Sequence, residues 1–509
     1  MPSGRHPSLP ASTTAPSSTT ALAGNRLGVA SVVFFIATAA TPMTVVAGVV
    51  TTGFAMTGLL GIPVAFLAVG AVLLLFSVGY VTMSRHVTNA GAFYAYIARG
   101  IGRPVGVGGA WIALLAYNAL QVGLYGLLGA SAAPLLEQWL GLAVPWWALA
   151  LVVWAFVALL GLQAVDVNGK VLAVLLIAEV GIILVLSLSN LGHPAGGQIS
   201  VAALSPAELV GPGSGAILGL AVLGFIGFEA ATVYAEESRD PRRTVPRATY
   251  LSVAALALLY TLASWAMTVA VGPEAIVQAS REQGIGVLFG LAGAQLGATV
   301  ANIAQVLLIT SIVAAAVSFH NTVARYMFSL GREGVLPAVL GRTSPRSSAP
   351  RGASITQSSI ALIVIILYAA TGLDPLVHLF FYGGTSGGLG VLMLLAITAL
   401  GIVRFFARRR TGDGAWRTVI APIGAVVVLL VVLGAALVNF DGLLGTPAGS
   451  VLPWLIPILY VAAGCAGIGW GLMLSRTRPR VYATLGEGPE AVRRAEERSS
   501  DSVGIGVRR

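Results

Sequence analysis

Charged side chains are scarce in this chain of 509 residues. Asp, Glu, Lys and Arg make up 9% of the sequence, whereas a soluble globular domain carries roughly 25%. Hydrophobic residues account for 57%, and the mean hydropathy is +0.89. A chain of this length with so few charges cannot cover a water-exposed surface. The composition therefore excludes a soluble globular enzyme and points to a membrane protein.

Cysteine is nearly absent as well. Cys465 is the only cysteine in the sequence, which excludes a disulfide framework and any metal site built from several cysteines. The phosphate-binding pattern Gly-x4-Gly-Lys-Ser/Thr is also missing, so a primary pump has no support. We therefore expect neither a cofactor nor a resident metal.

Long apolar runs fill most of the remaining sequence. A helix needs about 20 apolar residues to cross the roughly 30 Å of hydrocarbon in a bilayer. Twelve runs of about this length predict an all-α polytopic membrane protein with twelve transmembrane helices. The runs are 29–53, 63–84, 105–130, 146–165, 170–190, 214–235, 249–271, 297–320, 354–371, 376–403, 418–438 and 451–474.

The basic residues fall on one side of this predicted topology. With the N-terminus in the cytoplasm, 28 of the 29 Lys and Arg residues lie in cytoplasmic segments, and Arg281 alone lies in an external loop. Positive residues are enriched on the cytoplasmic side of membrane proteins. We therefore expect a multi-pass protein of the plasma (inner) membrane with both termini in the cytoplasm. The formal charge of +10 then requires no nucleic acid partner.

The two ends of the chain are polar. Residues 1–27 are rich in Ser, Thr, Pro and Ala and predict a disordered N-terminal tail in the cytoplasm. Residues 475–509 mix Arg, Glu, Gly and Ser and predict a cytoplasmic C-terminal tail.

Two carboxylates lie within the predicted spans. Glu179 is in the fifth span and Glu229 is in the sixth, and no Lys or Arg lies deep in any span. An ionisable residue at this depth is costly and is a functional candidate by default. Each carboxylate is therefore either protonated or meets the cation of a ligand. The alternative for Glu229 is a protonated side chain with a structural hydrogen bond.

Two of the predicted spans are interrupted. The first contains Thr41-Pro42, and proline disfavours a helical conformation in the residue before it. The sixth carries glycine at 219, 224 and 227. One interruption alone is typical of a kink, but interruptions in two corresponding spans indicate a transporter binding site. Freed N–H groups there can bind a carboxylate and freed carbonyls an ammonium, which suits a zwitterionic amino acid.

Three motifs connect the sequence with a known family. The first runs from Gly227-Phe228-Glu229 through Glu236-Glu237 to Pro241-Arg242-Arg243-Thr244-Val245-Pro246-Arg247-Ala248. The second is Asn89-Ala90-Gly91-Ala92-Phe93-Tyr94-Ala95-Tyr96, and the third is the segment 321–337 with Leu330-Gly331-Arg332-Glu333-Gly334. In order and spacing over residues 28–475, the chain resembles the amino acid–polyamine–organocation (APC) permeases of the bacterial amino acid permease type.

The resemblance implies a five-plus-five inverted repeat of the leucine-transporter type. The first repeat would cover 28–190, the second 214–403, and two additional helices 418–474. Substrate would lie between the breaks of the first and sixth spans. The implied substrate contacts are Ala40, Thr41, Pro42, Met43 and Thr44 toward the carboxylate, Phe225, Ile226 and Gly227 toward the amine, and Asn118, Gln121 and Tyr382 in the wall.

Coupling or gating is assigned to the two intramembrane carboxylates. Glu229 matches the family's glutamate after the break of the sixth span, and Glu179 lies near mid-membrane. Two departures from the family pattern are visible. Glu179 stands where some proton-coupled relatives carry a lysine, and the first break reads Ala-Thr-Pro-Met-Thr where many members have a glycine-rich turn.

We expect a secondary active transporter, not an enzyme. It would move amino acids or related amines across the plasma membrane by alternating access, with a proton as the coupling ion. An exchanger and a sodium-coupled carrier with Ser318 at the sodium site are the alternatives. A channel-like protein or another twelve-helix facilitator is less favoured, since two carboxylates do not form the ring of charged residues that a channel needs.

Overall fold

The computed structural model of the chain describes residues 22, 24–87, 89–409, 411–446 and 449–488, without the side chains of 165–172. Within these ranges every regular element is a helix, and the one β-pairing is an isolated bridge between Leu27 and Ser238. The predicted all-α polytopic fold is confirmed. Most of the tail predicted at 1–27, and the part of the C-terminal tail from 489 onward, lie outside the described residues.

The helices follow one another along the chain, and the two longest connections are 193–213 and 333–350. Those before residue 200 are α1 (Val29–Ala39), α2 (Pro42–Thr44, continued by Val45–Val49 and Val50–Thr57), α3 (Ile62–Ser84), α4 (Phe93–Gly100), α5 (Arg103–Leu140), α6 (Trp146–Gly161) and α7 (Val165–Gly192). Those after residue 200 are α8 (Ser214–Leu223), α9 (Ala230–Val233), α10 (Pro241–Val271), α11 (Ile276–Gln283), α12 (Gly286–Leu296), α13 (Ala298–Arg332), α14 (Arg351–Thr371), α15 (Pro375–Phe381, continued by Tyr382–Arg408), α16 (Trp416–Ile420, continued by Ala421–Val438), α17 (Phe440–Leu444), α18 (Leu452–Thr477) and α19 (Pro479–Thr484).

Among the described residues, ten helices are long and apolar enough to cross a membrane. They are α1 together with α2, and α3, α5, α7, α10, α13, α14, α15, α16 and α18. The predicted fourth and sixth spans correspond to α6 and α8, which are apolar but shorter. The total of twelve spans, the inverted repeat and the proposed division into domains stay predictions.

Close helix packing accounts for part of the high glycine content. Helices α5 and α18 cross with Gly467 directly on Gly108, so that a Cβ added to Gly467 would lie 2.7 Å from the Cα of Gly108. In lipid the hydrophobic effect does not drive helices together. They associate through close van der Waals packing, which small residues allow because the backbones can approach each other. Helix α5 also packs against α13 and α15, which places it at the centre of the bundle.

The loops predicted on one side of the membrane meet on one face, which we call the basic end. The amide of Leu27 donates to the carbonyl of Glu237 at 3.0 Å. Arg99 forms an ion pair of 2.6 Å with Glu487. These contacts join the segment before α1 to the segment after α9, and helix α4 to the segment after α19. The grouping of these loops therefore agrees with the charge pattern, while their orientation relative to the cell stays a prediction.

Two buried ion pairs close the basic end. Arg325 of α13 donates two hydrogen bonds to Glu237, at 2.7 and 3.0 Å. Arg332 of the same helix donates two to Glu236, both at 2.8 Å. A guanidinium matches a carboxylate in this two-bond geometry, which makes such pairs stronger than single bonds. The pairs hold α13 against the segment that follows α9.

We expect Glu237→Gln to lower the free energy of unfolding by about 3 kcal/mol, because it leaves the Arg325 guanidinium buried beside a neutral partner. The side chains of Arg325 and Glu237 are each 3% exposed. Thermal unfolding of the purified variant in detergent measures the loss.

The matched control is Asp240→Asn. Asp240 pairs with Arg243 at 3.6 Å, and their side chains are 52% and 77% exposed. An exposed pair contributes about 0 to 1 kcal/mol, so this variant should unfold close to the parent. Equal losses in the two variants would show that the buried pair is not a main contact of the basic end.

Candidate functional site

The first break lies between α1 and α2. Thr41 has a left-handed conformation with φ of 46°, and Pro42 follows as the first residue of α2. Proline lacks an N–H and disfavours helix at the preceding residue, so Thr-Pro ends α1 here. The freed carbonyls find partners: Ala40 accepts from the Tyr260 hydroxyl at 3.2 Å, and Thr41 accepts from the Val45 amide at 3.0 Å.

The second break lies between α8 and α9 and covers residues 224–229. Gly227 has a φ of 112°, a conformation that favours glycine. A Cβ added to Gly227 would lie 2.5 Å from the Cβ of Ala39 at the end of α1. The two breaks are therefore in direct contact, and position 227 requires glycine for its conformation and for this approach.

Glu179 connects the first break with two other helices. Its Oε1 accepts the amide of Met43 at 2.5 Å and the hydroxyl of Ser311 at 2.6 Å. The side chain is 1% exposed. Helix α7 thus supplies an acceptor to the first turn of α2, where an unpaired amide in hydrocarbon would be costly. Helix α13 holds the carboxylate in position through Ser311.

Glu229 connects the second break with α5. Its Oε2 accepts the amide of Gly227 at 3.0 Å, and its Oε1 accepts the hydroxyl of Tyr117. The backbone carbonyl of Glu229 accepts the hydroxyl of Tyr80 in α3 at 3.2 Å. Like Glu179, the side chain is 1% exposed. Each break therefore has one amide bonded to a buried carboxylate.

A cavity lies beside the two breaks, with about 760 Å³ of empty space that includes part of the solvent at its opening. Helices α1, α2, α5, α8, α13 and α15 enclose it, together with Leu443 of α17. Its hydroxyl groups come from Thr41, Thr44, Thr52 and Thr385. Its larger apolar side chains include Leu120, Leu124, Ile226, Phe319, Phe380 and Phe381. In the described part of the chain, the lining contains no charged side chain.

One of the lining hydroxyls is unsatisfied. Thr44 is 5% exposed, and its Oγ1 has no hydrogen-bond partner within the described structure. A buried hydroxyl normally has a partner. Thr44 also contributes to the cavity lining, so an unpartnered hydroxyl belongs to a residue at the cavity wall.

Four of the sequence-predicted contacts line the cavity, namely Ala40, Thr41, Thr44 and Ile226. Pro42, Met43 and Gly227 shape the breaks from behind this surface, and Phe225 packs against Phe66 and Tyr260 with ring centroids 6.3 and 5.7 Å apart.

Asn118 and Gln121 are placed elsewhere in the structure. Gln357 of α14 donates to the Oδ1 of Asn118 at 2.9 Å and to the Oε1 of Gln121 at 2.6 Å. The amide nitrogen of Gln121 lies 3.5 Å from the Nδ1 of His320, whose Nε2 lies 2.9 Å from the Ser354 hydroxyl. This polar cluster joins α5, α13 and α14 outside the lining of the cavity.

Two other candidates contact neighbouring helices. The ring of Tyr382 in α15 packs edge-on against His378 at 5.4 Å between centroids. The hydroxyl of Ser318 in α13 donates to the carbonyl of Phe35 in α1 at 3.1 Å. The cavity lining, as far as the described residues show, includes neither of them.

Several residues of the site could not be recognised from any sequence motif. Tyr117, Leu120 and Leu124 share one face of α5 at helical spacing, and that face is directed to the break and the cavity. Asn118 and Gln121 lie on the adjacent face. Ser311 is one of many serines in apolar helices, and only its contact with Glu179 distinguishes it.

The comparison with known families agrees with this geometry. The family described as amino acid permease matches residues 17–463, which is most of the chain. This chain belongs to the amino acid permease family. The membership confirms the predicted relationship to the APC permeases.

The relatives of this chain are named for different substrates. It is 26% identical over 325 residues to the probable GABA permease of Pseudomonas aeruginosa, covering 61% of this chain and 64% of that protein. It is 24% identical over 314 residues to the low-affinity putrescine importer of Escherichia coli K12, covering 60% and 67%. It is 30% identical over 151 residues to the D-serine/D-alanine/glycine transporter of Escherichia coli O6:H1, covering 29% and 31%. The match thus spans less than two thirds of the GABA permease.

We expect Gly227→Ala to lower the free energy of unfolding of this permease by about 1 to 3 kcal/mol, since the new Cβ overpacks the contact between the breaks. The control is Gly434→Ala in α16, where an added Cβ meets nothing within 4 Å. Replacing a helical glycine with alanine in open space should leave stability equal or slightly higher. Thermal unfolding in detergent compares the two, and a stable Gly227→Ala protein would contradict the tight contact.

Proposed function

We propose that this permease is a secondary active transporter that moves amino acids or related amines across the plasma membrane by alternating access, coupled to protons. The observation that carries the proposal is the pair of buried carboxylates, each bonded to an amide of one helix break. The substrate occupies the cavity beside the breaks. Family membership supports transport of this chemical class.

The proton is the coupling ion in this proposal. In the described part of the chain neither Glu179 nor Glu229 takes part in an ion pair, so a proton or a substrate cation is the partner left for their charge. A carboxylate without a counter-ion in a low-dielectric site is costly and readily takes up a proton. Protonation and deprotonation of these groups then accompany the transport cycle.

Glu229 couples protonation to the shape of the second break. When ionised, its side chain accepts charge-assisted hydrogen bonds from the Gly227 amide and the Tyr117 hydroxyl, which are roughly twice as strong as neutral ones. Protonation weakens these bonds and releases the break from α5. The break is then free to take the arrangement of the opposite-facing state.

The conformation supports alternating access. The cavity lining extends along α2 from Thr41 to Thr52, away from the basic end. At the basic end, the pairs Arg325–Glu237 and Arg332–Glu236 hold the helices together. With the predicted orientation, this is a state closed toward the cytoplasm, and opening that side requires both pairs to separate.

Sodium coupling has less support from the contacts of Ser318. Its hydroxyl donates to the carbonyl of Phe35, so these two oxygens satisfy each other directly. A sodium ion between them would have to break that bond. Exchange is the other alternative, and preloaded vesicles distinguish it from gradient-driven uptake.

The test is uptake by proteoliposomes, with the ligand that gives the largest thermal shift in a panel of amino acids and amines. We expect an imposed inward proton gradient, with the outside more acidic than the inside, to accelerate uptake in sodium-free buffer. Glu229→Gln should remove this acceleration because the side chain can no longer bind and release a proton.

The matched control is Glu274→Gln, since Glu274 lies exposed in the turn before α11. It should retain the response to the gradient. Gradient-driven uptake that survives Glu229→Gln would overturn the role of Glu229. Uptake that requires sodium or internal substrate would replace the proton scheme with the corresponding alternative.

A further inference from the structure

The first break offers few N–H groups to a ligand carboxylate. Pro42 has no N–H, the Val45 amide bonds to the Thr41 carbonyl, and the Met43 amide bonds to Glu179. An anion at a helix N-terminus needs several free amides that converge on it. Here the protein's own carboxylate has taken the acceptor position at the first turn of α2.

The second break is equally poor in free donors. The amides of residues 224, 225, 226, 228 and 230 all donate to backbone carbonyls within the break or its flanking turns. The amide of Gly227 donates to Glu229. Both breaks are thus stabilised internally, and neither presents a set of amides to the cavity.

The charge around the cavity favours a cation over an anion. The described lining holds hydroxyls and no Lys, Arg or His that would pair with a carboxylate. Glu179 and Glu229 lie directly behind the breaks, bonded to Met43 and Gly227. Buried negative charge attracts a positive ligand group and repels a second carboxylate. A rotation of the Thr44 side chain would let its unpartnered Oγ1 accept an ammonium N–H.

The apolar part of the lining restricts which chemical groups the rest of the ligand can have. Leu120, Leu124, Phe319 and Phe380 contribute hydrocarbon surface, and the described lining has no acidic side chain for a second ammonium. A charged group buried in such surroundings without a partner carries a large desolvation cost. One positive charge is therefore accommodated at the breaks, where Glu179 and Glu229 lie behind the lining, and a second one in the apolar part of the cavity is not.

We propose that the preferred substrate is a monoamine with an apolar body and without a carboxylate. Its ammonium would lie at the breaks beside Thr41 and Thr44, and its hydrocarbon part would fill the cavity between α5, α13 and α15. The proposal rests on the transport function proposed above and narrows its substrate class from amino acids and amines to apolar monoamines.

Matched ligand pairs test this directly on the purified full-length protein. Binding of 3-methylbutylamine is compared with leucine, 2-phenylethylamine with phenylalanine, and butylamine with putrescine, by thermal shift and isothermal calorimetry. Within each pair the ligands differ by one charged group. We expect each monoamine to bind at least about tenfold more tightly than its partner, corresponding to about 1.4 kcal/mol.

The outcomes separate the two proposals. Equal or tighter binding of leucine, phenylalanine or putrescine overturns the monoamine assignment and leaves the amino acid and amine permease function standing. If no amino acid or amine in the panel binds at millimolar concentration, the permease function proposed above fails, and the substrate class fails with it.

A variant tests the role assigned to Glu179. Glu179→Ala frees the Met43 amide and removes the charge behind the first break, so the preference for 3-methylbutylamine over leucine should fall several-fold. Glu274→Ala is the control and should keep the preference of the parent protein. An unchanged preference in a folded Glu179→Ala protein would show that Glu179 does not exclude the carboxylate.

Discussion

Backbone N–H and C=O groups within hydrocarbon must find partners inside the protein, and this requirement governs the centre of the permease. Continuous helices meet it by themselves, but the two breaks cannot. Glu179 supplies the acceptor for the Met43 amide, and Glu229 supplies the acceptor for the Gly227 amide. The breaks exist because Pro42 and Gly227 create them and because two carboxylates stabilise what the helices leave open.

The same arrangement links stability with function. A carboxylate that satisfies an amide also places negative charge at mid-bundle, where a proton or a ligand cation is the natural partner. Each carboxylate bonds to a second helix as well, Glu179 through Ser311 and Glu229 through Tyr117. A change in charge at either position therefore alters contacts between helices and not only the break itself. In the alternating-access scheme proposed above, the two ion pairs at the basic end hold back the opposite state.

The orientation of α5 about its own axis determines which of its side chains line the cavity. On α5, Tyr117, Leu120 and Leu124 face the break and the cavity, while Asn118 and Gln121 on the adjacent face bond to Gln357. In the sequence, Asn118 and Gln121 were better candidates for substrate contacts than their apolar neighbours only because their side chains are polar. Their place in a cluster between α5, α13 and α14 follows from packing, since a rotation of 100° per residue separates neighbours on a helix.

Local sequence patterns were enough to predict the membrane class, the helical fold, the positions of both breaks and the two intramembrane carboxylates. These features depend on local properties: hydropathy over about 20 residues, the conformational demands of Pro42 and Gly227, and the rarity of charge at depth. Which groups meet depends on how the helices pack. Met43 and Glu179 are 136 residues apart and Tyr117 and Glu229 are 112 apart, and no local pattern reports contacts over such separations. The tertiary contacts also decided that the Met43 amide is already satisfied, because that depends on how α7 packs against α2.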